Sequence, residues 1–231
     1  SRGASHTSTA LARLDENGAA SYTFDLEWAP AAPIEVPETA QILEAGSISA
    51  IIEPGASAVL DALTRGREHA LVFFDPNARP SIMGEPAVAL VSLERFIALA
   101  DVVTVSDEDI EWLTGGAPID KVVDRWLRLG PSLVVVTRGK HGSDVATASG
   151  VRFTKTPSDV KVVDTVGAGD SFMGGMIDAM WGMGLRGADA REALRSLPEE
   201  QVRAIIDRAS AVSDVTVSRK GANPPWAHEL S

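Results

Sequence analysis

The 231-residue chain contains no cysteine and little histidine. The absence of cysteine excludes disulfides, thiolate nucleophiles and cysteine-ligated zinc together, and it fits a reducing compartment such as the cytoplasm. The four histidines, His6, His69, His141 and His228, lie far apart in sequence and show no paired spacing. No zinc site is therefore predicted.

Positive charge is also scarce. Lys and Arg number 21 against 32 Asp and Glu, which gives a formal net charge of −11. This balance disfavours binding along nucleic acid or an anionic membrane. No apolar run approaches the ~20 residues that span a bilayer, and the N-terminus lacks a signal-peptide pattern. We therefore expect a cytoplasmic protein with small-molecule ligands. These can include an anionic cofactor, because backbone amides and one metal ion can reverse the local field.

Short continuous apolar runs alternate with amphipathic stretches of helical length over most of the chain. Continuous apolar runs are typical of parallel strands that are buried on both faces, and the alternation predicts one main α/β domain. The predicted strands are residues 47–52, 71–74, 102–105 and 133–136, and the clearest predicted helices are residues 87–99 and Ile119–Leu129.

A further helix is predicted near the C-terminus. Ser196 and Glu199 have the spacing of a capping box, in which each side chain bonds the other residue's backbone amide. The residues that would form its apolar face follow at helical spacing: Val202, Ile205, Ile206, Ala209 and Val212.

The N-terminal region has a different pattern, with period two. Apolar Tyr22, Phe24, Leu26 and Trp28 alternate with polar residues, and an Asn-Gly turn signal lies within residues 15–18. Residues 11–14 and 21–28 therefore predict a β-hairpin with one apolar face. Such a face can close over a ligand as a lid, pair with a second subunit as a homodimer clasp, or belong to an ordinary edge hairpin.

The segment Asp164-Thr-Val-Gly-Ala-Gly-Asp170 carries the strongest chemical signal. Residues 161–163 are predicted to end a strand, and a helix is predicted from Ser171 to about Trp181. Glycine lets backbone N–H groups approach an anion, and a helix N-terminus adds about half a positive charge. An anion hole is one interpretation, with Asp170 accepting a proton from an attacking hydroxyl. The alternative is a glycine turn with Asp170 as helix N-cap.

Two other nucleotide-binding patterns are absent. The chain has no G-x-x-x-x-G-K-[ST] sequence, and no G-x-G-x-x-G follows a predicted strand. Neither a P-loop nor a dinucleotide-binding fingerprint is therefore predicted.

The string DTVGAGDSF, residues 164–172, resembles the C-terminal signature of the ribokinase-like (pfkB) family of carbohydrate kinases. The resemblance implies a ribokinase-like α/β fold: a mostly parallel central sheet flanked by helices, with a small β lid. Residues 1–30 would form part of the lid, and residues 31–231 the ATP-binding and catalytic domain. The other matching segments follow the family's order, at residues 46–49 with 53–56, 75–77 with Arg79, 106–109 with Trp112, 137–139 with Gly142, and 218–222.

The resemblance also implies roles for individual residues. Asp170 would be the catalytic base, and the amides of Gly167, Ala168 and Gly169 would form the anion hole. The residues that it places along ATP are Thr137, Gly139 and Gly142 at the phosphates and Ser210 near the adenine.

The resemblance further implies cations. Asp109, with Ser106 beside it, would stand near Mg²⁺ and its waters, although a Ser-x-x-Asp pattern also caps helices. A monovalent cation such as K⁺ would be bound by Asp164, the carbonyl of Val166, and the loop containing Thr216, Arg219 and Gly221.

The substrate prediction rests on the same resemblance. Glu53 resembles a sugar-contacting residue, but a Glu before Pro-Gly is also typical of a solvated loop. We expect ATP-dependent phosphorylation of a hydroxymethyl group, with fructose as first choice and 2-keto-3-deoxygluconate kinase or ribokinase activity as alternatives. The N-terminal sugar-binding segment of the family is not found before the hairpin. A non-catalytic nucleotide-binding remnant is therefore the alternative of another class.

Overall fold

The computed structural model describes residues 3–14 and 20–230. Its smaller sheet is an antiparallel hairpin of β1 (Thr9–Leu14) and β2 (Ala20–Asp25). The hairpin agrees with the period-two pattern, although β2 ends three residues before Trp28. The predicted turn at residues 15–18 lies outside the described residues.

The larger sheet has six strands in sequential order. The first four pair in parallel, and the last two are added antiparallel. This confirms the predicted α/β architecture with a mostly parallel sheet. The strands are β3 (Ile42–Gly46), β4 (Leu71–Asp75), β5 (Val102–Ser106), β6 (Leu133–Thr137), β7 (Ser143–Thr147) and β8 (Arg152–Lys155).

Helices cover both faces of this sheet. They are α1 (Gly55–Gly66), α2 (Pro80–Met83), α3 (Pro86–Ile97), α4 (Asp107–Thr114), α5 (Ile119–Leu129), α6 (Ala168–Gly182), α7 (Arg191–Arg195) and α8 (Glu199–Val217). Within the described part of the chain, none of the helices is both long and apolar enough to cross a membrane.

The core explains why the strands are continuously apolar. Leu71, Val72, Phe73 and Phe74 are all fully buried. Val72 and Phe74 pack in the cluster with residues of α3, α4 and α5, whereas Leu71 and Phe73 pack against α6 and α8. Because side chains alternate across a strand, both faces need apolar residues.

Two strand predictions are wrong. Residues 47–52 do not form a strand; the strand lies earlier, at β3, and Ser47–Ala50 form a 3₁₀ turn. The charged Glu44 within β3 breaks the apolar run by which the strand would be recognised. Residues 161–163 form a loop outside the sheet. The Val163 amide donates a hydrogen bond to the Val217 carbonyl at 2.8 Å, which fixes this loop to the end of α8.

The predicted capping box at the start of α8 is also wrong. The helix begins at Glu199 after Pro198, and no side chain caps it. The Ser196 hydroxyl instead donates to the carbonyls of Glu192 and Ala193 in the preceding turn. The predicted apolar face of this helix is correct, because Val202, Ile205, Ile206, Ala209 and Val212 are buried.

Candidate active site

Four parallel strands end at one edge of the central sheet. Their last residues are Gly46, Asp75, Ser106 and Thr137, and the register pairs Gly46 with Asp75 and Ser106 with Thr137. Parallel strands run in the same direction, so loops that are distant in sequence meet at this edge, where α/β sheets bind their ligands.

The glycine loop meets the same edge at the start of α6. Gly167 is the N-cap of this helix, with φ +77°, a left-handed conformation that favours glycine. A Cβ on Gly167 would also lie only 2.8 Å from the Ala222 side chain. Asp170 is the third residue of the helix, so the alternative in which Asp170 is the N-cap is wrong.

Helix α8 holds the first turn of α6 in place. The Ser213 hydroxyl donates to the Ala168 carbonyl at 3.1 Å, and the buried Thr216 hydroxyl donates to Ser171 at 2.9 Å. These two bonds orient the helix N-terminus without using its amides. The Ala168 amide donates to the Thr165 carbonyl at 3.2 Å, whereas the amides of Gly167 and Gly169 have no hydrogen-bond partner among the described residues and can meet an anion.

A central cleft of about 590 Å³ runs from the strand ends to α6. Arg79 supplies a cation to it, beside Asp75 and Asn77. The cleft brings together the predicted site residues Ser106, Asp109, Thr137, Gly167, Ala168, Gly169 and Asp170.

A side pocket of about 370 Å³ continues from the central cleft on the other side of Thr137. It contains the other residues predicted to contact ATP: Gly139, Gly142 and Ser210. An apolar wall that the sequence reasoning missed completes it, formed by Pro157, Val160, Val162, Phe172 and Val217. Flat apolar walls beside a few polar groups suit a planar aromatic ligand.

An edge groove of about 520 Å³ lies on the opposite side of Asp170, along β3. Asp75, Asn77 and Glu44 share it with Asp170. Ser47 (φ 54°) and Asn77 (φ 37°) also line it, and the Ser47 hydroxyl donates to the Asn77 carbonyl at 3.0 Å. They are the non-glycine residues with positive φ within the described ranges, and such strained residues cluster at functional sites.

The carboxylates around Asp170 carry shifted pKa values. Burial raises the pKa of Asp75 to about 7, and the charges of Asp109 and Asp170 add to the increase, while the amide of Asn77 opposes it. Burial likewise raises the pKa of Asp109. Glu44 is open to water from the groove, yet the protein atoms around it raise the pKa of its carboxyl, with a smaller contribution from Asp170. Negative charge is therefore disfavoured here unless a ligand brings positive charge.

Ser106 and Asp109 each have two predicted roles, capping a helix and lying near Mg²⁺. The Ser106 hydroxyl accepts a hydrogen bond from the Asp109 amide at 3.0 Å, so Ser106 caps α4. The Asp109 residue nevertheless lines the central cleft. Among residues 3–14 and 20–230, no three carboxylate or histidine side chains are arranged to enclose a metal ion by themselves.

Asp164 joins two loops of the predicted monovalent-cation site. Its carboxylate accepts the amides of Val166 at 3.0 Å and of Gly221 at 2.8 Å, and these bonds lower its pKa. The Arg219 side chain pairs with Glu229 at 2.5 Å. Thr216 lies within the last turn of α8 and not in the predicted loop; it is fully buried, and its carbonyl accepts the Arg219 amide. The structure thus brings Val166 and Gly221 together and leaves the cation site a prediction.

Glu53 is not brought to the groove. Its two carboxylate oxygens accept the amide and the hydroxyl of Ser57, at 3.1 and 2.9 Å, in the first turn of α1. This contact satisfies a free amide at a helix N-terminus. The sugar-contacting role of Glu53 remains a prediction that this geometry does not support.

Sequence reasoning gave no role to three residues that lie at the centre of the site. Asp75 and Asn77 follow directly after a predicted strand, and that position could have identified them. Glu44 offered no such signal, because the predicted strand at residues 47–52 begins after it, whereas the strand in the structure is Ile42–Gly46.

Comparison with known proteins places the chain in a defined group. Residues 3–229 match the model of the pfkB family carbohydrate kinase. A curated relative, the fructokinase of Rhizobium leguminosarum bv. trifolii, is 33% identical over 171 residues, covering 71% of this chain and 52% of the relative. The chain spans about half the length of the curated relatives it matches first.

Solved structures show the same similarity. Fructokinase from Vibrio cholerae O395, in a form with fructose, ADP and calcium bound, has a TM-score of 0.71 and 28% identity, covering 94% of this chain and 68% of that one. Fructokinase from Xylella fastidiosa with bound ATP has a TM-score of 0.78 and 27% identity, with 94% and 69% covered.

Proposed function

The chain belongs to the pfkB family of carbohydrate kinases, and from this premise we propose that it transfers the γ-phosphoryl group of ATP to a hydroxymethyl group of fructose. Fructose is preferred over 2-keto-3-deoxygluconate and ribose because the similar proteins described above are named fructokinases.

One observation carries the proposal. Asp170, in the first turn of α6, lines both the central cleft and the edge groove. A group at this junction can touch a sugar in the groove and a phosphate in the cleft at the same time. Phosphoryl transfer depends chiefly on such positioning and on charge stabilisation.

The proposed step needs one proton acceptor. The Asp170 carboxylate takes the proton of the sugar hydroxyl as its oxygen forms a bond to the γ-phosphorus. The bond between that phosphorus and the β,γ-bridging oxygen breaks, ADP leaves with the electron pair, and the proton is later released to water. The amides of Gly167, Ala168 and Gly169 stabilise the charge that develops on the transferred group.

ATP would extend from the central cleft into the side pocket. Its phosphates would pass Thr137, Gly139 and Gly142, and its adenine would lie on the apolar wall near Ser210. Arg79 and Lys140 supply positive charge along this path.

We include Mg²⁺ and K⁺ in the proposal. An oxygen-binding divalent ion fits the central cleft because the Asp109 carboxylate is disfavoured there as an unpaired charge. Bound Mg²⁺ would neutralise charge on the phosphates. Asp109, with Ser106 orienting its helix, would hold the ion through water, and the remaining ligands would come from ATP. K⁺ would occupy the loops that Asp164 joins.

The hairpin, within the partial lid at residues 1–30, is proposed to cover the sugar. Trp28 anchors its return strand, because its carbonyl accepts the Gly55 amide at 2.9 Å and its indole lies directly on Gly55. A Cβ on Gly55 would come within 1.8 Å of Trp28 Cδ1. Homodimer formation through the same hairpin is testable by sedimentation of a Phe24→Ser variant, which should dissociate a dimer.

The function is tested by fructose-dependent ADP release in a coupled assay, with mass spectrometry of the sugar phosphate. Asp170→Asn should lower turnover ~10²–10⁴-fold, since it removes the general base. ADP affinity, measured by calorimetry, should change little. Asp178→Asn is a matched control on the same helix, because Asp178 is exposed and pairs with Arg208 at 2.7 Å.

Undiminished turnover of Asp170→Asn would exclude Asp170 as the base. A wild-type chain that binds ADP but phosphorylates neither fructose, 2-keto-3-deoxygluconate nor ribose would instead support the nucleotide-binding remnant.

A further inference from the structure

The two sides of Asp170 differ in the cations that line them. The central cleft and the side pocket contain Arg79, Lys140 and Lys155, whereas no Lys, Arg or His lines the edge groove among the residues that the structure describes. Both the central cleft and the groove are lined by four carboxylates, which in the groove are those of Glu35, Glu44, Asp75 and Asp170. An anion in the groove would therefore meet carboxylates with no protein cation beside them.

Two serines of the groove can serve a ligand only as acceptors. The hydroxyls of Ser47 and Ser49 donate to the backbone carbonyls of Asn77 and Gly46, at 3.0 and 2.7 Å. Their donor hydrogens are thus in use, and their oxygens can still accept hydrogen bonds. The Asn77 side-chain amide also lines the groove and can both donate and accept. The groove therefore favours an uncharged ligand that brings several hydrogen-bond donors.

Glu44 is placed to form hydrogen bonds with such a ligand. It projects from the open edge strand β3, where the paired residue on β4 is Phe73, and it shares the groove with Asp170. Its side chain makes no ion pair or hydrogen bond with any of the described residues, whereas the Glu53 carboxylate accepts hydrogen bonds from Ser57. Its carboxylate can therefore accept hydroxyl hydrogens of a ligand held beside Asp170.

We propose that Glu44 is a specificity-determining residue of the edge groove, which selects an uncharged polyhydroxy acceptor and rejects sugar acids. The inference rests on the proposed function, because it assigns the acceptor to the groove beside Asp170. A carboxylate on the sugar would lie among four protein carboxylates, and like charges placed together in an interface are strongly unfavourable. A neutral sugar offers donors to the same groups at no such cost.

The test compares fructose with 2-keto-3-deoxygluconate in the wild-type chain and in Glu44→Gln, under saturating ATP. The wild type should use the acid at least ~100-fold less efficiently in kcat/KM. Glu44→Gln should raise KM for fructose ~10-fold with a smaller change in kcat, since one charge-assisted hydrogen bond is lost. The discrimination against the acid should shrink in the variant. Glu38→Gln removes the same charge at an exposed position outside the groove and should change nothing.

Ligand-observed NMR of fructose binding in the presence of ADP distinguishes a failure of the proposed role of Glu44 from a failure of the proposed kinase function. Fructose turnover with an unchanged KM and acid discrimination in Glu44→Gln would overturn the role of Glu44 and leave the kinase function intact. If no sugar is phosphorylated, weaker fructose binding by Glu44→Gln than by Glu38→Gln still supports the groove assignment. Equal binding by the two variants, or preferred binding of the acid, would overturn it.

Discussion

Asp101 lies at the amino end of the central sheet, whereas Asp75 lies at its carboxyl end. Asp101 is almost completely buried and fully bonded: it accepts the Val72 amide at 2.9 Å and Arg191 Nε at 2.6 Å. Asp75 accepts the amide of Asn77 at 3.0 Å and has no cationic partner among the described residues; burial raises its pKa, and the charges of Asp109 and Asp170 add to the increase. The same residue type stabilises one end of the sheet and is held ready for a ligand at the other.

The difference follows from what each end must do. The Arg191 guanidinium also donates to the carbonyls of Arg67 and Ala70, so Asp101 and Arg191 tie α7 to two loops. No ligand is needed there, and the charges are satisfied within the protein. At the carboxyl end, carboxylates without a cationic partner cost stability, and a ligand that brings positive charge or hydrogen-bond donors would offset that cost.

The largest expected effect is at the amino end. Asp101→Asn should lower the free energy of unfolding by about 3 kcal/mol, because it leaves the Arg191 charge without its partner in a buried site. Urea unfolding at pH 7 measures this. Asp61→Asn is the control, since its i,i+4 pair with Arg65 is exposed and should be worth under about 0.5 kcal/mol. Equal losses of unfolding free energy in Asp101→Asn and Asp61→Asn would contradict the structural role of Asp101.

The opposite sign is expected at the carboxyl end. The folded-state pKa of Asp75, about 7, lies above the unfolded value near 3.8, so the folded state binds the extra proton between these values. Stability should therefore fall as pH rises from 4 to 7, by at most about 1.4 kcal/mol per pH unit from this group. Asp75→Asn should reduce that slope and make the protein more stable at pH 8.

The measurement is urea unfolding at several pH values in EDTA, so that no divalent ion compensates the charge. A steeper slope in Asp75→Asn than in the wild type would contradict the raised pKa.

The smallest change in stability is expected at Asp109. Its burial cost and its favourable position in the first turn of α4 oppose each other, so Asp109→Asn should alter stability by less than about 1 kcal/mol. Its effect should appear in ligand binding: Mn²⁺ affinity in the presence of ADP, followed by electron paramagnetic resonance, should fall about tenfold. Unchanged Mn²⁺ affinity would remove Asp109 from the cation site and leave only helix capping for this segment.

Much of the fold and site could be predicted from local patterns. The strands at 71–74, 102–105 and 133–136 are buried on both faces, so their apolar runs are continuous. The helix Ile119–Leu129 begins and ends as predicted. Strand β3 lies earlier than the predicted strand because Glu44 interrupts its apolar pattern, and β7 and β8 have no continuous apolar run because their residues alternate or are polar.

The sequence by itself determined the family, through the resemblance carried by residues 164–172, and it predicted a glycine loop at the start of a helix as the anion-binding part of the site. Only the tertiary structure decided which groups surround that loop. Glu44, Asp75 and Asp109 come from three different strands or strand ends, and they meet because parallel pairing brings those ends to one edge. Their shared negative charge, and the presence of Arg79 in the central cleft but of no cationic residue in the edge groove among the described residues, follow from this tertiary arrangement and from no single segment.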